Sequence, residues 1–259
     1  MRGFGAAAGL NPEVASPLAA RCQELGYSSM WSNDHPGAKG LDTLADFARG
    51  ADRIELGVAV IAVDRHDPDA IATDIDRSGL DRDRLWLGVG AGFTKKPLTT
   101  MRETLPKLRG ALPGLRLVLA AMGPKMCTFA GAEWDGVFFN WMTPDFAAQA
   151  REHVESGARA AGREPPPVMG YVRTAVGRDA EARLDKEESF YRDLHRGYRD
   201  HFDRLGEPEG SVGVAAKAPG EAQNELSRYR ALDLVVIRAL ASATIEDMST
   251  LAEAAAPGT

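Results

Sequence analysis

Cysteine is nearly absent from this chain of 259 residues, with only Cys22 and Cys127 present. Neither sits in a CxxC pair or beside a histidine, which excludes a disulfide framework and a cysteine-ligated zinc site. Long apolar runs are also missing. Stretches such as Val58 to Val63 fall far short of the roughly 18 residues needed to cross a bilayer. An excess of basic charge is missing as well. A net charge of −6 and a pI near 5.5 argue against nucleic acid or an anionic membrane as the main partner. The opening MRGFGAAAGL lacks the apolar core of a signal peptide and suits a first strand instead. These absences together predict a protein of the reducing cytoplasm.

What is present fits one large globular core. The chain is 44% hydrophobic and 26% charged, which is ordinary for a folded domain, and parallel β/α barrels of about 250 residues are routine. Apolar periodicity alternates between 2 and 3.6 residues, which divides the chain into eight strand-then-helix units. Strands are predicted near 2–8, 26–33, 53–62, 84–91, 115–121, 136–142, 167–176 and 233–239. Their Val, Ile and Leu content shows little strict alternation, as expected of strands covered on both faces. Val14, Leu18, Cys22 and Leu25 form a helical stripe that Gly26 ends, and Met101, Leu105, Leu108 and Leu112 form another before Pro113-Gly114,. The predicted fold class is therefore α/β, a (β/α)8 TIM barrel in one domain over 1–259. An excursion at 180–232 is too long for a bare connection. There Phe190, Leu194, Tyr198, Phe202 and Leu205 predict one face of a long amphipathic helix, which either packs on the barrel or serves as a lid or dimer surface. The segment 207–222 is predicted to be a loop.

Active sites of such barrels lie at the C-terminal strand ends. The second strand ends in Ser32-Asn33-Asp34-His35-Pro36. A neutral imidazole exchanges a proton near pH 7 and an adjacent carboxylate can orient it, so Asp34 and His35 are catalytic candidates. The plainer alternative is a loop-capping Asp beside an exposed His. The third strand passes through Ala59-Val60, whose neighbours include small residues that permit a flat ring to lie on the backbone. The fourth ends in Gly88-Val89-Gly90-Ala91-Gly92, which lets amides approach a ligand but does not match the full dinucleotide fingerprint. The sixth ends in Phe138-Phe139-Asn140-Trp141, an amide among aromatics. The first strand lacks paired histidines, which argues against a metal site.

The segment Leu117 to Trp141 predicts strand, tight turn, helix and strand, with Gly123-Pro124-Lys125 at the turn. The first amides of the helix, its dipole and Lys125 would all favour a phosphate there.

In this order, ELGYSSMWSNDHP, RIELGVAVIAVDRHDP, RLWLGVGAGF, LAAMGPKM with FAGAEWDGVFFNW, and YVRTAVG resemble the bacterial luciferase-like family of flavin and deazaflavin oxidoreductases. The likeness covers about 1–178 well and the remainder weakly. It implies a barrel that binds coenzyme F420 or FMN, with a bulged third strand and a non-prolyl cis peptide at Ala59-Val60. It further implies Asp34 and His35 near the reactive edge of the ring and Gly90, Ala91 and Gly92 near its tail. Ala121, Met122, Gly123, Pro124, Lys125 and Met126 would surround the phosphate, with Asn140 close by. SNDHP and AMGPKM resemble the F420 branch, which implies hydride transfer between the coenzyme and an organic substrate, as a reductase. An FMN-dependent monooxygenase fed by a separate reductase, and a non-catalytic barrel subunit, are the alternatives. Lys39 and Phe93 stand where sugar-phosphate dehydrogenases of the family carry a catalytic Trp and Glu, which argues against that activity. The short run Thr94-Lys95-Lys96 implies an open mouth and a small-molecule, peptide or natural-product substrate. A homodimer is compatible with all of these.

Overall fold

A computed structural model describes residues 1–258. Eight parallel strands close into a barrel: β1 (Arg2–Ala6), β2 (Ser29–Ser32), β3 (Glu55–Ala62), β4 (Leu85–Gly90), β5 (Arg116–Ala120), β6 (Gly136–Asn140), β7 (Val168–Val176) and, last in the chain, β9 (Leu234–Ala239). Neighbours in sequence pair in order from β1 to β6. The ring closes through β6 on β7, β7 on β9 and β9 on β1. A ninth strand, β8 (Val214–Ala216), stands where a loop is predicted. It pairs with Thr174–Val176 of β7, while β6 uses Val168–Tyr171. The short β6 leaves the upper half of that β7 edge unpaired, and β8 satisfies its backbone groups.

Helices α1 (Pro12–Glu24), α2 (Gly40–Gly50), α3 (Pro68–Ser78), α4 (Pro97–Ala111), α5 (Pro124–Glu133) and α6 (Pro144–Ala160) follow the first six strands. Several begin by one device, with a proline in the first turn after a side chain that caps it. Asn11, Asp67 and Thr143 accept from Glu13, Ala70 and Phe146 N–H respectively, which satisfies otherwise orphan amides. The last two helices, α9 (Pro219–Leu226) and α10 (Ile245–Ala254), flank β9.

The long helix predicted over the excursion is two helices, α7 (Ala180–Leu194) and α8 (Arg196–Leu205). His195 between them is extended (φ −160°, ψ 142°), and its Nδ1 accepts the Gly197 N–H. The break separates the predicted face: Phe202 and Leu205 are buried, whereas Phe190 is 59% exposed and Leu194 45%. The buried members pack with Trp141, Leu184 and Val212 against the barrel. Phe93, beyond β4, stacks on His195 with centroids 4.5 Å apart, so the crossover touches the far rim of the mouth. Among the described residues, no helix is long and apolar enough to cross a membrane.

Candidate active site

Side chains alternate across a strand, so the barrel interior can be followed layer by layer. Trp31, Ala59, Val118, Phe138, Met169, Tyr171, Leu234 and Val236 form its buried centre. Two residues further along their strands, on the same inward face, stand Asn140, Arg173 and Arg238. The mouth is thus polar above an apolar floor.

One wall of the mouth is β3. Val58 pairs with Leu87 and Ile61 with Val89, so β3 carries one extra residue and bulges between them,. The Ala59–Val60 peptide is cis, at the position the family resemblance implies. A Cβ on Gly88 would stand 2.3 Å from the Val58 carbonyl oxygen, and one on Gly90 would stand 3.1 Å from Val60 Cγ2. The glycines of β4 therefore make room first for the bulge itself. Gly92 has a different reason: its φ is +65°, and its Cβ position falls 1.9 Å from the Asp64 carboxylate, which accepts the Phe93 N–H at 2.9 Å. Ala91 is buried beside it.

At the end of β2, Asp34 does not pair with His35. Successive residues of an extended chain point to opposite sides, and Asp34 turns inward, its side chain 5% exposed. Its Oδ1 accepts the Gly40 N–H at 3.0 Å, and its Oδ2 stands 3.2 Å from His66 Nε2 and 3.8 Å from Arg65. His35 is exposed and its Nδ1 accepts the Gly37 N–H at 3.1 Å. In the neutral ring that assigns the proton to Nε2, which faces away from the turn. The loop-capping alternative thus describes Asp34 in part, with His66 as a partner that adjacency in the sequence did not reveal.

At the α5 turn, Gly123 caps the helix without a side chain, and nothing lies within 4 Å of a Cβ placed on it. The Met126 and Cys127 N–H groups both donate to the Gly123 carbonyl, which leaves the Lys125 N–H without an intrahelical acceptor. A cavity of about 100 Å³ opens here, lined by Met122, Gly123 and Pro124 and faced by His153, His201 and Arg204. The cation that lines it is Arg204 of α8, while the Lys125 side chain is exposed outside it. Met126 is half-buried against the core, and the Ala121 N–H is spent on the Phe138 carbonyl at 3.1 Å.

Trp141 follows β6 in the left-handed region at φ 55°, uncommon for a large side chain,. Its carbonyl receives the His201 Nε2–H at 2.6 Å, and His201 Nδ1 faces an Arg204 N–H at 3.1 Å. Burial pushes the His201 pKa down to about 4, with Arg204 adding to the effect. This grip fixes the turn that presents Asn140, whose Oδ1 accepts from Arg173.

Four residues of this region escaped the sequence reading: His66, Arg173, His201 and Arg238. Two carried a signal. Arg173 in YVRTAV and Arg238 in VVIRAL each interrupt an apolar strand, where a charge has no ordinary structural use. Among the described residues, no cluster of three or more His, Cys, Asp or Glu is arranged to hold a metal.

This architecture recurs in known proteins. The chain is 26% identical over 199 residues to a 5,10-methylenetetrahydromethanopterin reductase of Methanolobus tindarius, a match covering 62% of this chain and 61% of the relative's length. An F420-dependent secondary alcohol dehydrogenase, in complex with an F420-acetone adduct, superposes with a TM-score of 0.74 at 14% identity, covering 98% of each chain. The oxygenating constituent of 3,6-diketocamphane monooxygenase from the CAM plasmid of Pseudomonas putida, in complex with FMN, superposes with a TM-score of 0.66 at 12% identity, again covering 98% of each. These superpositions establish the fold. The family model for luciferase-like monooxygenases matches residues 93–256, more than half of the sequence, and the chain belongs to that family.

Proposed function

We propose that the protein is an oxidoreductase that binds coenzyme F420 in the barrel mouth and acts as a reductase on a small organic substrate. The observation that carries this reading is the β3 bulge at Val58–Ile61 set against the side-chain-free Gly88 and Gly90, a smooth wall within reach of an uncapped helix terminus. A flat ring with a phosphate-bearing tail suits that pair of features, so the residues present fit the group. The sequence likeness to a 5,10-methylenetetrahydromethanopterin reductase supports a reductase, and the fold shared with an F420-dependent secondary alcohol dehydrogenase supports the coenzyme.

When bound, a deazaflavin supplies a two-electron hydride donor or acceptor. Ala59 and Val60 would back the ring, with Gly90 and Ala91 beside them on the same wall. The Lys125 amide at the α5 terminus, with Gly123 and Pro124 forming the turn and Met122 and Met126 flanking it, would receive the phosphate, and Arg204 brings a cation to the adjoining cavity. Asn140 would border the same pocket, turned by its bond from Arg173. His35 presents Nε2 at the rim, where the imidazolium can give a proton to the substrate atom next to the carbon that has gained hydride, and the neutral ring can take one back in reverse. Asp34 acts on a neighbouring group: it ties the end of β2 to Gly40 and to His66, so it positions the rim from which His35 projects.

Titration of the purified protein with reduced F420 and with FMN, followed by ligand fluorescence, tests the reading. Saturable binding of F420 and none of FMN is the expected result. The reverse result, together with oxygen uptake in the presence of FMN and a reductant, would favour an FMN-dependent monooxygenase, which the family match and the FMN-bound structural neighbour both support.

A further inference from the structure

Arg173 and Arg238 are partners in register on the adjacent strands β7 and β9. Both follow inward-facing residues, Tyr171 and Val236, of the barrel centre, so both guanidinium groups project into the top of the interior. Arg173 is 2% exposed and Arg238 8%. Neither has a carboxylate within 4.0 Å among the described residues. Arg173 bonds to Asn140 and lies over the rings of Trp141, at 3.9 Å, and Tyr191, at 4.9 Å, yet its Nε has no partner. Arg238 makes no side-chain hydrogen bond, and its Nη1 is buried without an acceptor. Burial, and to a lesser degree Arg238 itself, lower the pKa of Arg173, with Tyr191 opposing.

Two buried like charges side by side are destabilising. Each lacks the counter-ion that ordinarily offsets desolvation, and neighbouring strands hold them about one strand spacing apart. A packing role would be served better by Met or Leu at either position. An anion placed between them would offset both charges, and the geometry supplies donors on two sides of that place together with a floor formed by Tyr171.

We infer that Arg173 and Arg238 receive an oxyanion of the substrate, a carboxylate or a phosphate, and so set the substrate class as anionic. The pair lies at the ends of β7 and β9, across the mouth from the β3–β4 wall, so an anchored anion directs the rest of the molecule toward that wall. Assigning the anion to the substrate rests on the oxidoreductase reading above, whereas the anion site itself is testable without any coenzyme.

The test is thermal unfolding of the full chain in chloride buffer, with and without added inorganic phosphate or acetate at constant ionic strength, for the wild type, Arg238→Met and Arg238→Lys. The wild type is expected to gain a few degrees in Tm with at least one oxyanion in a saturable manner. Arg238→Met is expected to lose that gain while melting no lower than the wild type in chloride, because an unpaired buried charge has been removed. Arg238→Lys should keep a measurable part of the gain, which covers the case in which the Met variant fails to fold. Oxyanion affinity should fall by about 30-fold or more in Arg238→Met. No oxyanion gain in the wild type, an undiminished gain in Arg238→Met, or a lower Tm of both variants in chloride would overturn the site. A second arm repeats the F420 titration in saturating oxyanion. Unaltered F420 affinity supports a substrate subsite. Competition between the oxyanion and F420, together with weaker F420 binding by Arg238→Met, would assign the anion to the coenzyme and overturn the substrate assignment. Failure of F420 to bind at all would refute the coenzyme reading and leave the phosphate and acetate result standing.

Discussion

Acidification should loosen the crossover helices through one residue, His201. Its side chain is buried, its Nε2 is committed to the Trp141 carbonyl at 2.6 Å, and its Nδ1 accepts from Arg204 at 3.1 Å. A proton added at Nδ1 would replace an acceptor with a donor facing a guanidinium, in a site where burial already lowers the pKa from 6.5 to about 4. The folded protein therefore keeps the ring neutral while the unfolded chain takes up a proton below about 6.5. Stability contributed here is complete above that pH and is lost as pH falls toward 4, at up to about 1.4 kcal/mol per pH unit. Between pH 7.5 and 5.0 this amounts to about 2 kcal/mol, and to about 3 kcal/mol when the fall reaches pH 4. Urea unfolding of the wild type and of His201→Gln at pH 7.5, 6.5, 5.5 and 5.0 isolates the contribution, because every other titrating group is common to both proteins. The wild type should lose about 2 kcal/mol more than the variant over that range. Parallel pH profiles, agreeing within about 0.5 kcal/mol, would show that the ring titrates normally and that the burial argument fails.

Other consequences follow from equally specific contacts. Gly157→Ala would put a Cβ 2.0 Å from the Thr128 carbonyl oxygen, where α5 and α6 pack backbone to backbone, and should destabilise by about 1–3 kcal/mol in urea unfolding. Glu188→Ala removes a fully buried carboxylate that accepts from Arg192 twice and from the Val212 N–H. It should cost about 3–5 kcal/mol by the same measurement, with α7 and the strand β8 region losing hydrogen-exchange protection first. Gly88→Ala forces the β3 bulge outward, and fluorescence titration should show loss of coenzyme binding. His35→Ala should retain that binding but lose most turnover, and full turnover would remove the proton role. If the phosphate lies in the cavity beside α5, Arg204→Glu should weaken coenzyme affinity more than Lys125→Glu, because Arg204 lines it and Lys125 does not.

The barrel was legible in the sequence because its strands are continuous apolar runs and its helices carry apolar stripes at helical spacing. Those signals are local. What escaped depended on neighbours distant in sequence. Val214–Ala216 is a three-residue stretch in a segment bounded by Gly213 and Pro219, a pattern of turns, and it becomes a strand only because the β7 edge beyond β6 is open. The stripe from Phe190 to Leu205 has helical spacing throughout, and one extended residue at His195 divides it without disturbing the count. Asp34 and His35 are adjacent in the chain, yet the partner that matters to Asp34 is His66, delivered from the loop after β3. The glycine series at the end of β4 reads in the sequence as letting amides approach a ligand, whereas the group nearest Gly88 is the neighbouring backbone and that nearest Gly92 the Asp64 carboxylate.

The two ends of the barrel treat charge in opposite ways. At the N-terminal end, Glu55 accepts from Arg116 and from Trp86 Nε1, Asp135 accepts twice from Arg109 and once from the Leu117 N–H, and Asp233 accepts from Arg151 and the Val168 N–H. Arg84 there donates to the Ala51 and Ile54 carbonyls. Glu55 and Arg116 begin strands, Arg84, Asp135 and Asp233 immediately precede them, and Arg109 and Arg151 reach the acids from α4 and α6. At the C-terminal end Arg173 and Arg238, more deeply buried than these, have no such acid and leave nitrogen atoms without acceptors. A barrel that supplies partners for its charges at one end has no difficulty of chemistry in doing so at the other. The unpaired cations therefore mark the end at which a ligand completes the structure, and it is the same end at which the β3 bulge, the α5 terminus and His35 converge.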